Sequence, residues 1–228
     1  MLANLNIYPL YLSLKVATAA TILAIIIGLP IGWILARKSF PGKSILDSII
    51  TLPIVLPPTV LGYYLLVSIG RQSTIGQAIE QVFGVTLVFT WQAAVIASLL
   101  ASIPLLIKST KAAFGDIDQD IENAARTLGK GELSIFFRIT IPLAWPGILS
   151  GVILSFARAL GDFGTTLIVA GNIPGKTQTM PIAIYDALLA GDLQTVNFLV
   201  VLMTIVALII LVVLNRLDRL VVRGKRDA

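Results

Sequence analysis

Five uncharged runs dominate this chain, and each is long enough to cross about 30 Å of hydrocarbon, which takes roughly 20 helical residues. They are Val16–Ala36, Ser48–Gly70, Val82–Ile107, Ile139–Ala157 and Leu193–Asn215. Inside a bilayer a backbone must satisfy its own hydrogen bonds, so such runs are read as helices. Continuous apolar stretches of this length, without strand alternation, favour helices. Charge is correspondingly scarce, at 13% of 228 residues against 57% hydrophobic, with a mean hydropathy of +0.93. A soluble domain carries about 25% charged residues. The expected fold class is all-α: a polytopic membrane bundle of about five spanning helices, six if the 180–189 segment counts.

The basic residues set an expected orientation. Arg37, Lys38 and Lys43 follow the first run, and Lys108, Lys111, Arg126, Lys130 and Arg138 lie between the third and fourth. Arg216, Arg219, Arg223, Lys225 and Arg226 form the tail, whereas the opposite side holds only Arg71 and Lys176. Cytoplasmic loops carry the excess of Lys and Arg, so the N-terminus is expected outside and the C-terminus inside. The net charge of +5 is thereby assigned to membrane topology, and no nucleic-acid partner is expected. No cleavable leader is expected either, because MLANLNIYPLY lacks a basic start and the apolar run beyond it is long.

Prolines interrupt the runs: Pro30, Pro53, Pro57, Pro58, Pro104, Pro142 and Pro146 fall inside or at the ends of apolar segments. Each removes a backbone donor and clashes one turn back, so kinked or broken helices follow. The Pro57-Pro58 pair, near the middle of its run, suggests a broken helix lining a pathway, the alternative being a packing kink. Gly28-x-x-x-Gly32 and Gly147-x-x-x-Gly151 offer small faces for close helix contact, within the chain more readily than between copies. One domain is expected over 1–228, with an inner loop at about 109–138 and an outer, re-entrant segment at about 161–192 in which Gly171–Gly175 is a turn and Met180–Leu189 a short helix.

The longest polar interruption, Asp116 to Pro142, has the marks of a short helix. Asp116, Asp118, Asp120 and Glu122 open it, Arg126 and Lys130 close it, and Gly129 sits just past the pattern. That ordering places charge against the helix dipole and supplies the usual C-terminal stop. Ile117, Ile121, Ala124 or Ala125, and Leu128 recur at spacings of three and four. The same pattern also fits a solvated loop with a turn or two lying on the bilayer.

Chemistry is sparse elsewhere. The chain has no Cys and no His, which removes disulfides, thiolate chemistry and the commonest metal ligand; neither metal nor cofactor is expected. Gly42-Lys43-Ser44 imitates the end of a phosphate-binding loop, but the first glycine of that motif would fall at Arg37, and a helix precedes it where a strand is required. No carboxylate pair lies inside an apolar run, so a proton relay has little to work with. Lys15 and Arg158 sit near the outer ends of spans, where snorkelling to headgroups competes with attraction of an anion. Arg158 and Asp162, four apart, can neutralise one another across a turn.

Ala124-Ala125, then Gly129 after three intervening residues, then Ile139-Thr140-Ile141-Pro142 after nine more, resemble the EAA coupling motif of ABC-importer permease subunits. Asn123 stands where that motif usually has Glu, Glu122 precedes it, and Ile141 replaces Leu. The resemblance implies a type I importer permease whose coupling residues are Glu122, Asn123, Ala124, Ala125, Arg126, Leu128 and Gly129. It implies no catalysis by this chain, two separate ATPase subunits, a second copy of the permease forming a homodimer, and a bacterial inner membrane. A second stretch, Ala157 to Thr166 followed by Gly171 to Thr179, is similar to molybdate permease subunits, with Asp162 where those usually show Glu. It implies molybdate, with tungstate possible, delivered by a soluble extracytoplasmic binding protein. Sulfate or thiosulfate permeases are the runner-up, sharing the earlier half and diverging around Pro174-Gly175-Lys176-Thr177. Pro57, Pro58, Arg158, Gly164, Thr165 and Thr166 are candidates for the pathway, since hydroxyls and amides can pass an oxyanion without trapping it. The rivals of another class are a carrier or channel driven by an ion gradient, which predicts intramembrane ionisable groups and inverted repeats, and a membrane anchor without transport.

Overall fold

The computed structural model describes residues 7–224, in which all regular structure is helical. Expectations resting on residues 1–6, Lys225 and Arg226 lie outside the described residues. Helix α1 spans Tyr8–Arg37, α2 Lys43–Val55, α3 Pro58–Ile69, α4 Thr74–Phe83 and α5 Trp91–Gly115. Then come α6 Gln119–Thr127, α7 Glu132–Ile135, a π-helical turn Phe136–Thr140, α8 Ile141–Leu160, α9 Gly164–Ala170, α10 Met180–Leu189 and α11 Leu193–Gly224. Four continuous helical stretches are long and apolar enough to cross a membrane, with α2 and α3 a fifth if that bent pair is one span.

Helix α5 is the axis of the bundle, with 61% of its most apolar window buried against 6% for α11. Small residues bring its neighbours close. A Cβ added to Gly32 of α1 would lie 2.2 Å from Thr110 Oγ1, and one on Gly28 would lie 3.0 Å from Leu106 Cδ2. From α8, a Cβ on Gly147 would meet the Ala113 Cβ at 2.4 Å, and one on Gly151 the Ser109 Cβ at 2.9 Å. Both small-residue faces therefore seat helices of the same chain against α5. Ser109 Oγ adds a hydrogen bond to the Gly147 carbonyl at 2.8 Å, tying the two helices together.

Most of the prolines do not stop their helices: Pro30, Pro53, Pro104 and Pro146 all lie within continuous segments. The exception is Pro57-Pro58, where α2 and α3 meet at 114°. The reason is local. A residue before proline is pushed out of the α region, and Leu56 (ψ 139°) and Pro57 (ψ 139°) are both extended in turn. Pro58 then opens α3 at a position where its missing N–H costs nothing.

Several helix boundaries differ from the ends of the uncharged runs, among them two starts. Helix α1 begins at Tyr8, with Lys15 inside it; the ammonium is stabilised 3.7 Å from the Trp91 ring centroid, so this charge does not end the helix. The third span begins at Trp91 and not at Val82. Gly84 (φ 67°) terminates α4, Phe89 (φ 61°) turns the chain, and Thr90 caps α5 by accepting the Ala93 N–H at 3.2 Å. Helix α4 itself escapes an apolar scan because it is short and amphipathic. Its start is nonetheless written in the sequence as Ser73, whose hydroxyl accepts the Gly76 N–H at 2.8 Å.

Candidate functional site: the α6 helix and its anchor

Asp118 caps α6 by accepting the Asp120 N–H at 2.9 Å. At the other end Gly129 takes φ 76°, a left-handed conformation that favours glycine. The Lys130 N–H then reaches the Ala125 carbonyl at 3.1 Å and the Gly129 N–H the Arg126 carbonyl at 2.9 Å, the paired bonds of a Schellman stop.

The stripe read from the sequence divides into two faces. Ile121, Ala124 and Leu128 point outward, with Leu128 79% exposed. Inward lie Glu122 and Ala125, the only buried residues of the helix. Glu122 is therefore a buried carboxylate. Arg37 Nη2, from the last turn of α1, donates to its Oε1 at 2.9 Å, and Thr140 Oγ1, from the π-turn, donates to the same oxygen at 2.7 Å. Arg37 Nη1 also donates to the Ile117 carbonyl, just ahead of α6, at 3.3 Å. Both members of the pair are nearly sealed, with side-chain exposures of 9% and 7%. Stranding either one would cost about 3–5 kcal/mol.

A second bracket lies on the surface. Arg126 donates to Glu132 Oε1 of α7 at 2.6 Å and to Asn123 Oδ1 at 2.7 Å, and stands 3.9 Å from Glu122. The Glu132 carboxylate holds the Arg126 guanidinium still further above its ordinary range. Between α6, α1 and the π-turn is a cavity of about 490 Å³, walled by Pro30, Trp33 and Phe136 and bordered by Glu122 and Thr140. Sequence reasoning singled out Glu122 but missed Arg37 and Thr140 as its partners. The signal was faint: a basic residue closing a span, and a threonine at the motif's Ile-x-Ile-Pro.

The pathway candidates fall into two groups. Pro58 and Gly164 touch, since a Cβ on Gly164 would lie 3.0 Å from the Pro58 Cβ, and Pro57 is exposed beside them. Arg158 donates to Asp162 Oδ1 at 3.1 Å, and Asp162 Oδ2 accepts the Thr166 hydroxyl at 2.7 Å and its N–H at 3.1 Å. Thr165 and Thr166 are fully buried. The segment after α9 is pinned as well: Gln178 donates to Asn172 and Asp186, and the Met180 N–H donates to Ser13 Oγ of α1 at 2.8 Å.

The profile of the family described as "Binding-protein-dependent transport system inner membrane component" matches residues 28–227. The chain belongs to this family. It is thereby a multi-pass inner-membrane component of a transport system, and not a soluble catalyst. Among curated relatives it is 52% identical over 184 residues to the putative molybdenum transport system permease protein YvgM of Bacillus subtilis, covering 81% of each chain. It is 48% identical over 174 residues to the molybdenum transport system permease protein ModB of Escherichia coli K12, covering 76% of each. It is also 37% identical, over 77% of its length and 61% of the relative's, to a probable sulfate transport permease of Chlorokybus atmophyticus. Solved structures share the fold. The inward-facing MetNI methionine ABC transporter aligns at TM-score 0.75 and 18% identity, covering 95% of this chain and 96% of that one. A bacterial alginate ABC importer aligns at TM-score 0.69 and 15% identity, covering 92% and 78%.

Proposed function

We propose that this chain is the membrane subunit of an ATP-driven importer of molybdate, with tungstate as a second substrate. The observation that carries the substrate is the 52% identity, over four-fifths of both chains, to a relative named for molybdenum transport. Two copies pair around a pathway. A soluble carrier delivers the oxyanion to the outer side, and an ATPase subunit grips each α6 from the cytosol. The outward ridge of Ile121, Ala124 and Leu128 supports that grip: it is an apolar strip on an otherwise polar helix, of the kind that lies in a partner's groove. Closure of the ATPases pushes the two α6 helices together and rocks the spans from inward-open to outward-open. The broken α2–α3 pair, together with Arg158 and Gly164, lies along the route in this reading.

The test is uptake of labelled molybdate into proteoliposomes. Uptake is expected to require the ATPase, ATP and the binding protein together, and to resist competition by excess sulfate. Transport by the permease alone along an ion gradient would overturn the importer reading, and full competition by sulfate would overturn the substrate. Ala124→Glu is expected to weaken ATPase co-purification, because it places a charge on the exposed ridge.

A further inference from the structure

Apolar packing does little to hold α6 to the body of the protein. Of its residues only Glu122 and Ala125 are buried, and an alanine side chain is a single methyl. Beside them the helix stands over the cavity of about 490 Å³. Apart from the chain at its two ends, a helix over a hollow passes displacement on where it touches. Here the main point of contact is one carboxylate oxygen, and its two donors belong to different spans: Arg37 closes α1, and Thr140 ends the π-turn that runs into α8.

We infer that the Arg37–Glu122–Thr140 joint is the linkage that turns movement of α6 into movement of α1 and α8. Glu122 is a positioning residue, touching neither the transported anion nor nucleotide. This rests on reading α6 as the helix an ATPase grips. Charge-assisted hydrogen bonds are short and directional, and a sealed setting strengthens them, so the joint resists being pulled, pushed or sheared. Apolar contact has no preferred direction and slides. Arg37 tightens the grip by also holding the Ile117 carbonyl ahead of the helix. The π-turn completes the geometry. Its wide ring lets Thr140 present a hydroxyl to α6 while α8 keeps Gly147 and Gly151 against α5. Arg126 does not substitute for Arg37, since it stands 3.9 Å from Glu122 and is committed to Glu132 and Asn123.

The experiment measures molybdate moved per ATP hydrolysed in the complex of permease, ATPase and binding protein. In Glu122→Gln, ATPase co-purification and ATP turnover are expected to persist. Uptake per ATP is expected to fall on the order of 10-fold or more, the scale on which slight misplacement of a positioning group acts. Thr140→Ser should keep the coupling and Thr140→Val lower it. The paired replacement Arg37→Met with Glu122→Leu separates linkage from glue, because an apolar pair restores stability without directional bonds. Its melting temperature should return while uptake per ATP stays low. If uptake returns with stability, the joint is only structural and the proposal is overturned. Loss of ATPase binding in a folded Glu122→Gln variant would also overturn it, by making Glu122 a partner contact. Unchanged ATPase binding in Ala124→Glu would instead sink the underlying reading of α6, whatever Glu122 does.

Discussion

Ala124 and Ala125 are identical neighbours with opposite surroundings, the first exposed and the second 7% exposed. Ala125→Glu forces an unpaired charge beside the Arg37–Glu122 pair and should destabilise the isolated permease by about 3 kcal/mol or more, read as a lower melting temperature in detergent. Ala124→Glu should leave that melting temperature within about 0.5 kcal/mol of the parent. The sequence shows the alanine pair but not which alanine faces in. Periodicity alone assigns the apolar side inward, and here the inward side carries a carboxylate while the apolar ridge is exposed. Gly32 makes a second case. A Cβ there would meet Thr110 Oγ1 at 2.2 Å and the Thr110 Cβ at 3.1 Å. Gly32→Ala should cost about 1–3 kcal/mol by overpacking. Adding Thr110→Ala removes the nearer atom, so the double variant should recover much of the loss and the two changes should not add.

Among the elements, the long apolar helices were legible and the devices that seat them were not. Residue counts find α5, α8 and α11, and the glycine pairs find the close faces, because hydrophobic length and small-residue spacing are local properties. Helix α4 and the true start of α5 depend on a serine cap, Gly84 and a left-handed Phe89, which no apolar count detects. Helix α2 is the sharper example, for it has no buried residue at all. Its attachment to α5 includes Asp47, which accepts from Lys108 Nζ at 2.9 Å and from Lys111 Nζ at 3.1 Å. Asp47→Asn should therefore speed amide hydrogen exchange in α2 while leaving α1 and α5 protected. At the start of α11, Asp192 Oδ2 accepts the Thr195 hydroxyl at 2.5 Å and Oδ1 its N–H at 3.1 Å. The Thr195 hydroxyl, then its N–H, hold the Asp192 carboxyl below the usual carboxylate range. Since the folded value is the depressed one, the cap's contribution is complete above the unfolded value and is lost as pH falls through the folded one. Exchange at the first turn of α11 should rise on acidification, and Asp192→Asn should flatten that dependence.

At the scale of the whole molecule, the orientation in the membrane can be tested separately from the fold. Lys130 follows α6 and Lys176 lies in the turn after α9, and both are exposed. The one long apolar helix between them is α8 with the π-turn that feeds it, 20 residues plus 5. At 1.5 Å per residue α8 alone measures about 30 Å, the thickness of the hydrocarbon core. Helix α9, at 7 residues, cannot cross back. The two lysines must therefore face opposite sides whichever way up the protein sits. By the positive-inside rule, the excess of Lys and Arg around α6 predicts the cytosol for Lys130. Because the chain has no Cys, single cysteines report without background. Lys130→Cys should react with a membrane-impermeant thiol reagent only in inside-out vesicles, and Lys176→Cys only in right-side-out ones. Labelling of both from one side would mean that α8 does not cross, which breaks the architecture itself. Labelling from opposite sides in the reverse sense would leave the architecture standing and place α6 where no cytosolic ATPase can reach it.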